Sequence, residues 1–154
     1  MPVKRVLLTG MSGTGRSSVV RELAARGFKA AGTDDGWSES LPDGGQRWRA
    51  GAVRALLATE DADVLFVAGC EENQAQFYAL FGRVILLSAP PGVLAGRLAA
   101  GTSNPYGKAP EDLSRIAGDV QAVEPLLRRA AGHEVQATVP LTEVVTAILR
   151  LVGA

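Results

Sequence analysis

The sequence predicts an α/β fold: a five-stranded, mainly parallel sheet with helices on both faces. Three observations carry this. Short, almost wholly apolar runs recur at residues 3–9, 64–68 and 84–88, the pattern of strands buried on both faces. Segments with apolar residues at helical spacing alternate with those runs, as in βαβ units. A glycine-rich turn, Gly10 to Gly15, joins the first apolar run directly to the first helical segment.

Taken in order, residues 3–9 form the opening strand, and residues 17–26 a helix with Val19, Val20 and Leu23 facing inward. A short second strand follows at 29–31. The stretch 32–46 is rich in Gly, Asp and Pro and is expected to be a loop without regular structure. A loop of that length is usually functional or mobile. Residues 50–59 read as a helix, 64–68 as a strand, 74–80 as a helix and 84–88 as a strand. Pro91 and Pro110 suit the first turns of helices over 91–99 and 110–130, and Pro125 is expected to bend the second. A last strand at 134–138 and a helix at 141–151 close the chain.

At 154 residues the chain is expected to form a single domain, residues 1–154. No apolar run reaches the roughly 18 to 20 residues of a membrane span, so no membrane partner is expected. The apolar stretch in MPVKRVLLTG is too short for a secretory signal, which makes a cytoplasmic location the expectation. One cysteine, Cys70, and one histidine, His133, exclude a disulfide framework within the chain and a Cys- or His-rich metal site. Sixteen basic side chains balance sixteen acidic ones, which argues against a general nucleic-acid binder.

The most specific motif is Gly10-Met11-Ser12-Gly13-Thr14-Gly15-Arg16-Ser17. It matches G-x-x-x-x-G-K-[ST] at every fixed position except lysine, replaced by Arg16. Lying between a strand and a helix, its backbone N–H groups and the helix dipole suit phosphate oxygens. Gly10, Ser12, Gly13, Thr14, Gly15, Arg16, Ser17 and Ser18 are therefore the expected nucleotide contacts, with the Ser17 hydroxyl a ligand for Mg²⁺. Arginine keeps the charge of the usual lysine but brings a bulkier planar fork, so binding without efficient transfer is the alternative expectation.

From these residues the chain resembles the small P-loop kinases, the group of adenylate kinase, shikimate kinase and gluconate kinase. Further phrases support this along nearly the whole length: the acidic turn Thr33-Asp34-Asp35, Trp48-Arg49, Arg115-Ile116, Glu124-Pro125-Leu126-Leu127 and Thr138-Val139-Pro140. The resemblance implies a three-layer P-loop NTPase fold with a short lid at about 101–111. It also implies ATP and Mg²⁺ as cofactors, a small-molecule phosphate acceptor as partner, and a monomer or homodimer. Asp34 then matches the Mg²⁺- and acceptor-binding acid, Thr138 and Pro140 the adenine cradle, and Arg97 and Arg115 the arginines that neutralise the migrating phosphoryl group.

Gly32 stands in place of the first acid of the shikimate kinase D-x-D pair, and Ala52 in place of a glutamate, which turns the expectation toward nucleoside-, nucleotide- or sugar-like acceptors. Read from chemistry, phosphoryl transfer needs an aligned acceptor, a base and distributed positive charge. Asp34 is the expected catalytic base and Mg²⁺ contact; Asp35, Arg49, Asn73 and Gln74 are the expected acceptor contacts. Trp37 and Trp48 either stack on a ring or cover the core edge. The expected function is transfer of the ATP γ-phosphate to a small hydroxylated or anionic metabolite.

Overall fold

The computed structural model describes residues 3–11, 14–34, 36–43, 46–71, 73–100 and 110–154, without the side chains of 95, 98–100 and 110–116. Five strands, β1 (Lys4–Thr9), β2 (Lys29–Gly32), β5 (Val64–Ala68), β6 (Arg83–Ser88) and β7 (His133–Gln136), form one parallel sheet in the order β2-β5-β1-β6-β7. A small antiparallel pair, β3 (Ser38–Ser40) and β4 (Gln46–Trp48), stands beside it. Central β1 pairs with β5 from Lys4↔Val64 to Leu8↔Ala68, and with β6 from Val6↔Arg83 to Thr9↔Leu86.

Alternation along β1 explains the layers. Val6 and Leu8 pack with Phe66, Ile85 and Leu87 under α1 (Arg16–Ala25) and α5 (Leu141–Val152), which contribute Val19, Leu23, Val145 and Ile148. Leu7 points the other way, with Leu65, Val67 and Val84, under Val53 and Leu57 of α2 (Ala50–Leu57). Burial on both sides leaves only apolar residues in the middle of β1, β5 and β6, hence the apolar runs. Two more helices, α3 (Pro91–Ala100) and α4 (Pro110–Ala130), follow β6, and α4 continues through Pro125. Among the described residues no helix is long and apolar enough to cross a membrane.

One expectation is corrected. The stretch 32–46 is not free of regular structure: it supplies β3 and leads into β4, in the register Ser38↔Trp48, Glu39↔Arg47, Ser40↔Gln46. Its anchor is Trp48, wholly buried against Phe77 with ring centroids 5.4 Å apart. The helix expected over 74–80 is present with those bounds, Gln74–Leu80, and is of the 3₁₀ type. The lid expected at about 101–111 lies outside the described residues except for the first turn of α4.

A charged network fastens α4 to the β6–β7 edge. Arg128 Nε donates to Glu134 Oε1 (2.7 Å), Arg128 Nη2 donates to Glu124 Oε1 (2.8 Å), and Ser88 Oγ donates to Glu134 Oε2 (2.7 Å). The Arg128 guanidinium, and then the Ser88 hydroxyl, hold the Glu134 carboxyl below its usual range. A depressed carboxyl pKa adds stability above the unfolded-state value, about 4.3, and that stability disappears as pH falls through the lower folded-state value. Arg128→Gln is therefore expected to be less stable than the natural protein at neutral pH, with the gap closing in acid. Urea unfolding across pH 3 to 7 checks this, and a pH-independent gap would refute it.

Candidate active site

The carboxyl ends of β1, β2 and β5 converge on one crevice, the end of a parallel sheet where ligands bind. Beyond Thr9 the chain turns at Gly10, where a Cβ would lie 2.4 Å from the Leu87 carbonyl oxygen and 3.1 Å from Thr14 Oγ1. Only glycine lets the loop sit this close to β6. Helix α1 begins after Gly15, whose φ of 88° is left-handed. Gly15 offers no side-chain cap and the first turn of α1 contains no acid, so the N–H groups of that turn have no capping side chain and suit an anion.

The structure brings Arg16, Ser17 and Asp34 together. With Arg21, Gly32 and Ala68 they line a cavity of about 240 Å³. Arg21 escaped the sequence reading; its signal is helical spacing, since it lies one turn beyond Ser17 on the same face of α1. Asp34 is exposed and also lines a second cavity of about 270 Å³ with Ser38, Glu39, Ser40 and Gln46 of the hairpin. Thr14 is buried, and its hydroxyl donates to the Met11 carbonyl (2.9 Å), so that side chain braces the loop from within. Ser18 is half-buried and its hydroxyl accepts from Arg21 Nη2 at 3.4 Å. Ser12, Gly13 and Asp35 lie outside the described residues.

Asn73 and Gln74, expected to orient an acceptor, have their amides committed to the protein. Trp48 N–H donates to Asn73 Oδ1 (2.8 Å) and Asn73 Nδ2 donates to the Trp48 carbonyl (2.9 Å), clamping the base of the hairpin. Gln74, buried, accepts from Glu71 N–H (3.1 Å) and donates to Thr9 Oγ1 (3.1 Å) and Tyr78 OH (2.9 Å). A buried amide must find such partners. Trp48 is a core residue rather than a stacking platform, and Trp37 is half-buried against the same cluster. Under the hairpin Thr33 Oγ1 and Trp48 Nε1 are buried without a partner among the described residues, both against Gly69, where a Cβ would lie 2.3 and 3.0 Å from them.

Arg49 is exposed at the start of α2; its N–H donates to the Trp37 carbonyl (2.7 Å) and its carbonyl accepts from Val53 N–H (2.9 Å). On the β6–β7 side, Arg97 Nη2 donates to the Ala137 carbonyl, just before Thr138. Thr138 lines a cavity of about 270 Å³ with Ser88, Glu124 and Gln136. Pro140 is the N-cap of α5. Arg115 lies on α4. A cavity of about 860 Å³ opens at the amino-terminal end of the sheet, beside Lys4, Phe28 and Val152, away from the glycine loop.

Among solved structures, the chain is similar to the shikimate kinase from Acinetobacter baumannii in complex with shikimate, at 19% identity and a TM-score of 0.70, over 97% of this chain and 92% of that one. It is also similar to the shikimate kinase of Bacteroides thetaiotaomicron (17%, TM-score 0.71, 98% of this chain and 99% of that one). A third is a gluconokinase from Sinorhizobium meliloti (19%, TM-score 0.66, 97% and 94%). No protein-family model matches the chain, nor does any curated protein. The fold is that of the small P-loop kinases.

Asn73→Ala leaves the Trp48 backbone N–H and carbonyl without their partners. It is expected to cost about 1–3 kcal/mol in urea unfolding. Unchanged stability would remove Asn73 from its role as hairpin clamp.

Proposed function

We propose that this protein is an ATP-dependent phosphotransferase that moves the γ-phosphoryl group to a hydroxyl of a small acceptor. The observation that carries this reading is the position of Asp34 in the wall of two cavities, one shared with Arg16 and Ser17, the other enclosed by the hairpin. A carboxylate between a phosphate cradle and a polar acceptor cavity is where a base for an attacking hydroxyl belongs.

The uncapped first turn of α1 suits the phosphates of ATP. Mg²⁺, a hard cation that prefers oxygen, would spread charge between the β- and γ-phosphates, and the chain offers it the Ser17 hydroxyl and the Asp34 carboxylate in one cavity. Thr138 and Pro140 are assigned to the nucleoside end.

In this mechanism Asp34 takes the proton of the acceptor hydroxyl, whose oxygen forms the new bond to the γ-phosphorus while the bond to the β–γ bridging oxygen breaks and ADP leaves. Arg16 and Arg21 hold positive charge against the phosphoryl oxygens from the floor, with Arg97 and Arg115 assigned to the same task from α3 and α4. Asp35 and Arg49 are assigned to the acceptor side.

Asp34→Asn is expected to lower turnover by roughly a hundredfold or more while Mg-ATP affinity stays largely unchanged. Isothermal titration and an ADP-release assay separate the two effects; undiminished turnover would refute the role of Asp34.

One observation favours a second reading: Arg16 occupies the position of the phosphate-binding lysine, so the chain can be a nucleotide binder that has lost transfer. An active kinase adapted to arginine is expected to show equal or lower turnover as Arg16→Lys. Turnover that arises only in Arg16→Lys would decide for the second reading.

A further inference from the structure

We infer that Gln74 is a positioning residue for the nucleotide: its bond to the Thr9 hydroxyl fixes the end of β1 from which the glycine loop departs, and phosphate affinity depends on that bond. The inference rests on the phosphotransferase reading and adds to the same site a residue that serves the nucleotide side rather than the acceptor side.

Chemistry at the end of β1 supplies the first argument. Val6, Leu7 and Leu8 need no polar partner, whereas Thr9, wholly buried, carries a hydroxyl into the interior one residue before Gly10. A hydroxyl in such a place requires a hydrogen bond, and Gln74 Nε2 donates one at 3.1 Å. The amide of Gln74 is held at three points. Its Oε1 accepts from the Glu71 N–H (3.1 Å), and its Nε2 donates also to Tyr78 OH (2.9 Å). Because a backbone N–H can only donate, the Glu71 contact settles which end of the amide is oxygen, so Thr9 faces a donor of fixed orientation. At 3% exposure Gln74 acts through Thr9 and not by touching a ligand.

Clearance supplies the second. Thr9 is paired with Leu86 of β6, and Gly10 follows so near that strand that a Cβ would lie 2.4 Å from the Leu87 carbonyl oxygen. A loop seated this tightly must follow any shift of the strand end. Phosphate oxygens would meet the N–H groups of the loop and of the first turn of α1, and such a donor set must be held to within about 0.5 Å by the groups behind it. Gln74, anchored on the segment after β5 and on its own helix, is the group behind Thr9.

The test is a double-mutant cycle on the full chain, read both by urea unfolding and by calorimetric titration with Mg-ATP and with Mg-tripolyphosphate, which has neither base nor sugar. Thr9→Val and Gln74→Leu each leave a buried polar group without its partner. Each is expected to lower stability and to weaken both ligands by about tenfold. In the double variant part of the stability is expected to return, because the Thr9–Gln74 pair is then apolar on both sides. Affinity is expected to stay about tenfold below that of the natural protein, since the bond that seats the loop is still missing. Thr9→Ser keeps the hydroxyl and is expected to bind both ligands within about twofold of the natural protein; if Gln74→Leu does not fold, the contrast between Thr9→Val and Thr9→Ser decides alone. Affinity that returns in the double variant in step with stability would make the pair merely structural and overturn the inference, as would natural affinity in Thr9→Val. A natural protein that binds neither ligand would instead defeat the phosphotransferase reading, and the inference with it.

Discussion

The close approach of Gly10 to the Leu87 carbonyl is the constraint on which the site depends. At 2.4 Å from a would-be Cβ, there is no space for any side chain between the first turn of the loop and the neighbouring strand. Gly10 therefore lies flush against the end of β6, and α1 begins after Gly15. The charged lining of the cavity beside α1 follows from that placement. Arg16 and Ser17 open the helix, Arg21 returns one turn later, and β2 delivers Asp34 from two strands away.

A second anchor makes the other half of the crevice. The hairpin is short, polar and weak by itself, since a two-stranded pair seldom holds in water without support. Trp48 supplies the support by placing its ring in the core against Phe77, and Asn73 supplies direction by bonding both backbone groups of the same residue. Gln74, the next residue, reaches the end of β1 through Thr9. One short segment after β5 thus ties the hairpin and the base of the glycine loop to a common frame. The two polar side chains that resembled ligand contacts are the fasteners that keep the two cavities in register.

The crevice is divided electrostatically. Arg16 and Arg21 line the cavity beside α1, whereas Asp34 and Glu39 line the one at the hairpin, where Glu39 is paired with Arg47. Asp34, on the boundary, belongs to both. Farther along the sheet, the Arg128–Glu134 pair and Ser88 hold α4 to β6 and β7, which fixes the cavity that contains Thr138.

The sequence by itself determined the parallel sheet, nearly every element boundary, and the glycine loop with Arg16 and Ser17. Each of these is written locally: strands buried on both faces must be apolar throughout, and the loop needs glycines at fixed spacing within eight residues. Asp34 was legible for the same reason, as the acid that leaves the end of a strand. Tertiary structure alone decided the hairpin, because Ser-Glu-Ser and Gln-Arg-Trp carry no apolar alternation and pair only when Trp48 finds a core assembled from distant segments. It alone decided that Asn73 and Gln74 are internal fasteners, since an amide's partners come from elements 25 and 65 residues away. It also decided that Arg21 faces Asp34. Local pattern sets which elements form, whereas the commitment of a polar side chain depends on what packing brings within about 3 Å of it.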